Sequence, residues 1–135
     1  MLIRRLGYVF AVLVVLAVLF LAGPRVRVSG DYEPLPEDID LTDWVDAKAA
    51  AFDDIVPGTE DRLILADSSG PTEWSVVYLH GFSGSSMMAY PFADSLAARL
   101  GANAFIPRFT GHGRTGEALG AATAAEWVQD AADAV

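Results

Sequence analysis

Hydrophobic and polar positions divide the chain sharply. Residues 6–22 form an apolar run of 17 positions without a charge, and Arg4 and Arg5 precede it. At about 1.5 Å per residue such a helix spans roughly 26 Å, close to a hydrocarbon core of about 30 Å. A second apolar run, residues 75–79, is short and does not alternate with polar residues. That pattern predicts a strand buried on both faces, as in a parallel sheet covered by helices. It stops at His80-Gly81, and a small-residue turn follows. The next helix is predicted over residues 90–100, with Pro91 in its first turn and Gly101 just past its end. Phe92, Leu96 and Leu100 recur at i, i+4, i+8 with Ala93 and Ala97 beside them, which predicts the packed face.

Other elements follow from turn and cap signals. Asp40 or Thr42 caps a helix predicted to reach Asp53, with Trp44, Val45, Ala47, Ala51 and Phe52 toward the core. Pro57-Gly58 marks a turn. Residues 62–66 read as a strand, and Asp67-Ser68-Ser69-Gly70-Pro71 turns the chain back, suggesting an antiparallel edge hairpin with the apolar run. Residues 104–109 read as the next parallel strand. Thr123 or Ala124 starts a last helix with Trp127, Val128 and Ala131 inward.

These elements give three regions: residues 1–27, an N-terminal anchor or transmembrane segment; 28–40, an acidic linker broken by Pro34 and Pro36; and 41–135, one α/β domain. For the first region an uncleaved signal anchor, a cleaved signal peptide and a buried core helix compete. The exit Leu21-Ala22-Gly23-Pro24 is a poor cleavage site, which favours the anchor. Arginines flank both ends (Arg25 and Arg27 follow the run), so charge does not fix orientation. The default for such an anchor is a single pass with the domain exported, on the periplasmic or extracellular side.

Charge refines the picture. The 135 residues carry a net charge of −9. From Asp31 onward, 18 carboxylates face five cations, a balance of −13. So acidic a body disfavours nucleic acid as a partner, and none is expected. With no cysteine, disulfides and thiol catalysis are excluded. Two histidines far apart in sequence offer no metal constellation, and no cofactor motif of substance is present.

The run Val76-Val77-Tyr78-Leu79-His80-Gly81-Phe82-Ser83-Gly84 resembles the oxyanion strand and loop of α/β-hydrolases. Phe105-Ile106-Pro107-Arg108-Phe109-Thr110-Gly111-His112-Gly113 resembles the next strand and loop of the same fold. The likeness covers roughly residues 55–135. It points to bacterial esterases and lysophospholipase-like enzymes, including those grouped with serine aminopeptidases. The resemblance implies the N-terminal part of an α/β-hydrolase fold, a mostly parallel sheet flanked by helices. A complete domain of that kind needs about twice this length.

Acyl transfer needs donors aimed at the oxygen that becomes negative in the tetrahedral intermediate. The resemblance implies that the backbone N–H of Phe82 is one such donor. Gly81 would allow the sharp turn and Gly84 would keep the loop compact. By the same likeness His80, Gly111, His112 and Gly113 support the loops, since the family's catalytic histidine comes last in the chain. Met87, Met88 and Tyr90 are candidate walls of an acyl pocket. Arg108 and Arg114 brace loops or are solvated.

Two motifs mislead. Gly81-Phe82-Ser83-Gly84-Ser85 imitates Gly-x-Ser-x-Gly but ends in serine, so Ser83 is not the expected nucleophile; Ser83 and Ser85 bond the loop or cap the helix. Gly111-His112-Gly113-Arg114-Thr115-Gly116 is a formal G-x-G-x-x-G, but Asp130 and Asp133, near the spacing of a dinucleotide site's acid, fall on a predicted helix and not at the end of a second strand.

Nucleophile, acid and catalytic base are all missing from residues 1–135. The expectation is therefore an N-terminal fragment of a membrane-anchored serine hydrolase that forms an acyl-enzyme on small-molecule or lipid-like esters. It supplies the oxyanion loop and is inactive alone. The alternatives are a non-catalytic membrane-anchored binding module, or pseudo-hydrolase, and, more weakly, a dinucleotide-binding domain.

Overall fold

The structure is a computed structural model that describes residues 2–23, 32–66 and 70–135. The expectations on Pro24, Arg25 and Arg27, on residues 28–31 of the linker and on the turn at 67–69 lie outside the described residues. The elements are α1 (Leu2–Ala22), α2 (Leu41–Ala50), β1 (Arg62–Ile64), β2 (Ser75–Val77), a 3₁₀ turn (Ser86–Ala89), α3 (Phe92–Leu100), β3 (Asn103–Ile106), α4 (Gly116–Ala121) and α5 (Ala124–Ala132).

The three strands lie in the order β1-β3-β2. β2 runs parallel to β3, with Val76 opposite Ala104, and α3 makes the crossover between them. β1 is antiparallel to β3, with Leu63 opposite Phe105. This corrects the expected hairpin. β1 pairs with β3, not with β2, because β3 inserts between them and offers β1 a full ladder. β3 is the middle strand.

Side chains alternate along β3. Ala104 and Ile106 face α3 and are buried, whereas Phe105 lies on the other face, 5.7 Å from the Trp44 ring of α2. The core joins Ala89, Ala93, Ala97, Ala104 and Ile106, with Ile64, Val76 and Tyr78 packed against it. Small residues at 93, 97 and 104 let helix and sheet approach closely. The α3 face is therefore centred on Ala93 and Ala97, and Phe92 and Leu100 are exposed, contrary to the periodicity reading.

The strand at 75–79 is also less buried than its composition suggests. Only residues 75–77 pair as strand, Ser75 and Leu79 are exposed, and Val76 to Tyr78 are half-buried. β2 is an edge strand of the described sheet, so one side has no neighbour to cover it. Strands predicted over 62–66 and 104–109 likewise shorten to β1 and β3.

Helix caps follow the sequence. Asp40 accepts the N–H groups of Thr42 and Asp43 at the start of α2. Thr123 and Glu126 form a capping box on α5. Gly101 takes the left-handed conformation (φ 59°) that ends α3. α2 stops at Ala50 and exposes Ala47, Ala51 and Phe52. Phe52 leaves the helix because its ring stacks under the Arg114 guanidinium at 3.8 Å, with Arg108 at 5.3 Å. α4 and the 3₁₀ turn carry no periodic signal and were not expected.

α1 is exposed along its described side chains, and the helix from Arg4 to Ala22 is long and apolar enough to cross a membrane. A signal sequence near an N-terminus has the same length and composition.

Candidate active site: the loops beyond β2 and β3

Both parallel strands end at the same edge of the sheet, and the loops that follow them meet there. This is the edge where open α/β sheets place ligands. His80 closes the β2 end. Its Nδ1 donates to the Gly81 carbonyl at 3.0 Å, and its Nε2 accepts the Phe109 N–H at 3.4 Å. That pairing fixes the neutral Nδ1–H tautomer. Burial pushes the His80 pKa below its usual value, partly opposed by the hydrogen bond to Gly81. A residue committed to two backbone groups, with its acceptor nitrogen occupied, is poorly placed to take a proton from a nucleophile.

His112 reaches back across the gap. Its Nε2 lies 2.7 Å from the Phe82 carbonyl oxygen, so the ring donates there. The His80 and His112 rings meet edge to face at 4.8 Å, and Phe82 sits 6.1 Å from His112 and 5.8 Å from Trp127. The Phe82 carbonyl is thus pinned. Its N–H makes no hydrogen bond among the described residues, and the residue is exposed.

The glycines divide into two kinds. Gly84 donates to the Gly81 carbonyl at 2.8 Å, and a Cβ at Gly84 would come within 3.1 Å of the His80 Cβ. That closeness keeps the turn tight. Gly111 and Gly113 have φ of 79° and 64°; a Cβ at Gly111 would meet the Ala118 carbonyl at 2.6 Å, and one at Gly113 would strike Thr59. Gly81 differs from expectation. Its φ is not in the left-handed region and a Cβ there meets nothing within 4 Å, so the turn does not depend on it.

The loop after β3 is held from three sides. The buried Arg108 donates Nη1 to the His112 carbonyl at 3.1 Å, and its N–H goes to Asp61. Thr110 is clamped by α5: its N–H donates to Asp130 Oδ2 at 2.6 Å, and its carbonyl accepts Trp127 Nε1–H at 2.9 Å. Lys48 pairs with the buried Asp61 at 3.2 Å and reaches Asp130 at 4.0 Å. Arg114 bonds Asp54 at 2.6 Å and holds that carboxyl below its usual range. Arg108 and Arg114 therefore brace loops. Sequence reasoning missed the bracing roles of Asp61 and Asp130.

The remaining candidates lie nearby without joining one cavity. Met87, Met88 and Tyr90 are exposed at the same edge; Tyr90 packs under Arg62 at 5.7 Å. A cleft of about 420 Å³ lies elsewhere, on the α2 face beside Trp44, Leu63, Phe105 and Val135. Ser83 is exposed and makes no side-chain hydrogen bond among the described residues. Ser85 occupies the N-cap position of the 3₁₀ turn without a side-chain cap bond, so the expected serine bracing is absent there. No group of three or more metal-ligating side chains occurs among the described residues.

The described residues define an α/β arrangement: a small mixed sheet with a strand–turn–helix crossover and two glycine loops at the carboxyl edge. No protein-family model matches the chain, and no curated protein matches it. One similar solved structure comes from the description of LipS and LipT, two metagenome-derived lipolytic enzymes that increase the diversity of known lipase and esterase families. It is 33% identical over 56% of this chain, with a TM-score of 0.49. The chain spans 29% of that structure's length.

Proposed function

We propose that this chain carries the oxyanion half-site of a serine hydrolase acting on carboxylic esters, held at a membrane by α1. The observation that supports it most is the state of Phe82. His112 holds the carbonyl while the N–H of the same exposed residue makes no hydrogen bond among the described residues. A donor aimed in advance stabilises a developing oxyanion without reorganising during the reaction. The hydrolase resemblance of both loops points the same way. Triad members would come from outside residues 1–135, and the acyl-enzyme step belongs to the complete site.

The dinucleotide reading is not favoured. Gly111 and Gly113 are explained by close contacts with Ala118 and Thr59, without a phosphate.

The test is binding of a monoanionic phosphonate ester, a tetrahedral mimic, measured by calorimetry. The half-site reading expects weak saturable binding, on the order of 1 mM, lost in His112→Ala and not competed by NAD. Binding that NAD displaces would overturn it. No p-nitrophenyl ester should turn over; turnover abolished by Ser83→Ala would refute the absence of a nucleophile.

A further inference from the structure

Residues 74–93 contain no Asp, Glu, Lys or Arg, although the chain from Asp31 onward holds 18 carboxylates against five cations. From Phe82 onward this stretch forms a surface. Phe82, Met87, Met88, Tyr90 and Phe92 are each between 52% and 67% exposed. The topology gathers them at one edge. Phe82 follows β2, the 3₁₀ turn brings Met88 against Gly84, and Tyr90 lies under Arg62, which opens β1 at the carboxyl end of β3.

The nearest charges are already neutralised. Arg62 bonds Asp94 at 2.6 Å. The face is therefore apolar and charge-free, with a paired rim. Clustered exposed apolar side chains mark an interaction surface.

We infer that this face docks on the lipid bilayer into which α1 inserts. Three observations select lipid as the occupant. α1 is long and apolar enough to cross a membrane, and inserted there it would keep the body near one. The exposed side chains are methionine and aromatic, and a tyrosine with an apolar body and polar tip suits the headgroup boundary. The rest of the body carries the carboxylates, whereas this face meets lipid without burying one. Docked this way, the Phe82 N–H opens toward the bilayer boundary. The inference rests on insertion of α1 and is independent of acyl transfer.

The chain has no cysteine, so a single introduced thiol can be labelled cleanly. Met88→Cys, and Arg99→Cys at the far end of α3, would each carry an environment-sensitive NBD probe. The full chain is reconstituted into phosphatidylcholine vesicles, and flotation reports insertion of α1 separately from the probe. Docking predicts that bromine-labelled acyl chains remove most of the emission at position 88 and little at position 99. Adding Met87→Glu and Phe92→Glu should restore the emission at 88 while the chain still floats. A floating chain whose probe at 88 stays in water overturns the inference. So does a probe shielded from water but unquenched by brominated lipid in a cross-linkable dimer, which would assign the face to a second copy. A chain that fails to float also overturns it.

Discussion

The imidazole of His112 donates from Nε2 to the carbonyl of Phe82 at 2.7 Å, joining two loops 30 residues apart. The bond fixes one end of a peptide unit whose neighbouring N–H is the proposed donor. Loops that would otherwise sample several conformations are held in one, which is the condition for electrostatic preorganisation.

His112→Ala removes that donor and leaves the Phe82 carbonyl to solvent. The expected loss of stability is about 1–2 kcal/mol. Hydrogen exchange at residues 81–84 should accelerate more than exchange in β3. Equal acceleration in both would mean that the variant loosened the whole body.

His80 makes stability depend on pH. Its folded pKa lies below the unfolded value of 6.5 because burial disfavours the charged ring. The unfolded chain therefore binds more protons as pH falls, and stability present above about 6.5 is lost progressively toward the lower folded pKa. Asp54 and Glu126 have lowered pKa values and titrate in a more acidic window. Urea melts between pH 7.5 and 5.5, followed by tryptophan fluorescence, should show falling midpoints. His80→Asn should flatten that dependence.

Asp130→Leu removes the acceptor for the Thr110 N–H and one of the carboxylates near Lys48. The expected cost is about 1.5–3 kcal/mol, the range for a hydrogen bond to a charged group. Asp130→Asn keeps an acceptor oxygen and should recover part of it. Recovery to the full wild-type midpoint would show that the charge itself contributes nothing.

Gly113→Ala forces a Cβ onto Thr59 at φ 64° and should cost more than about 2 kcal/mol, combining left-handed strain with the clash. Gly81→Ala, with open space around it, should be tolerated or stabilising by up to about 1 kcal/mol through the unfolded chain. Equal destabilisation by the two would contradict the geometry of the β2 turn.

These contrasts show what the sequence carries and where it stops. Asp40, Thr123 and Gly101 are local signals, decided within four residues, and the caps they predict are present. The support roles of His80 and His112 came from the hydrolase resemblance and not from a local signal; both rings bond loop backbone groups in the structure. Strand order was not legible: whether β1 pairs with β2 or β3 depends on which ladder is available after α3 crosses over. Helix faces failed where small residues won. Phe92 and Leu100 have the stronger apolar signal, but Ala93 and Ala97 permit the close approach to Ala104. Asp61 and Asp130 were illegible because their partners, the Arg108 and Thr110 amides, are backbone groups distant in sequence.

Selective labelling with 15N-phenylalanine reads the central claim at one atom. The chain has seven phenylalanines, so seven amide signals are expected. Titration with the phosphonate monoanion should shift the Phe82 amide saturably downfield, as an N–H that gains an anionic acceptor does, while Phe105 and Phe109 stay in place. A Phe82 signal that never moves, while another amide saturates, would contradict the oxyanion role.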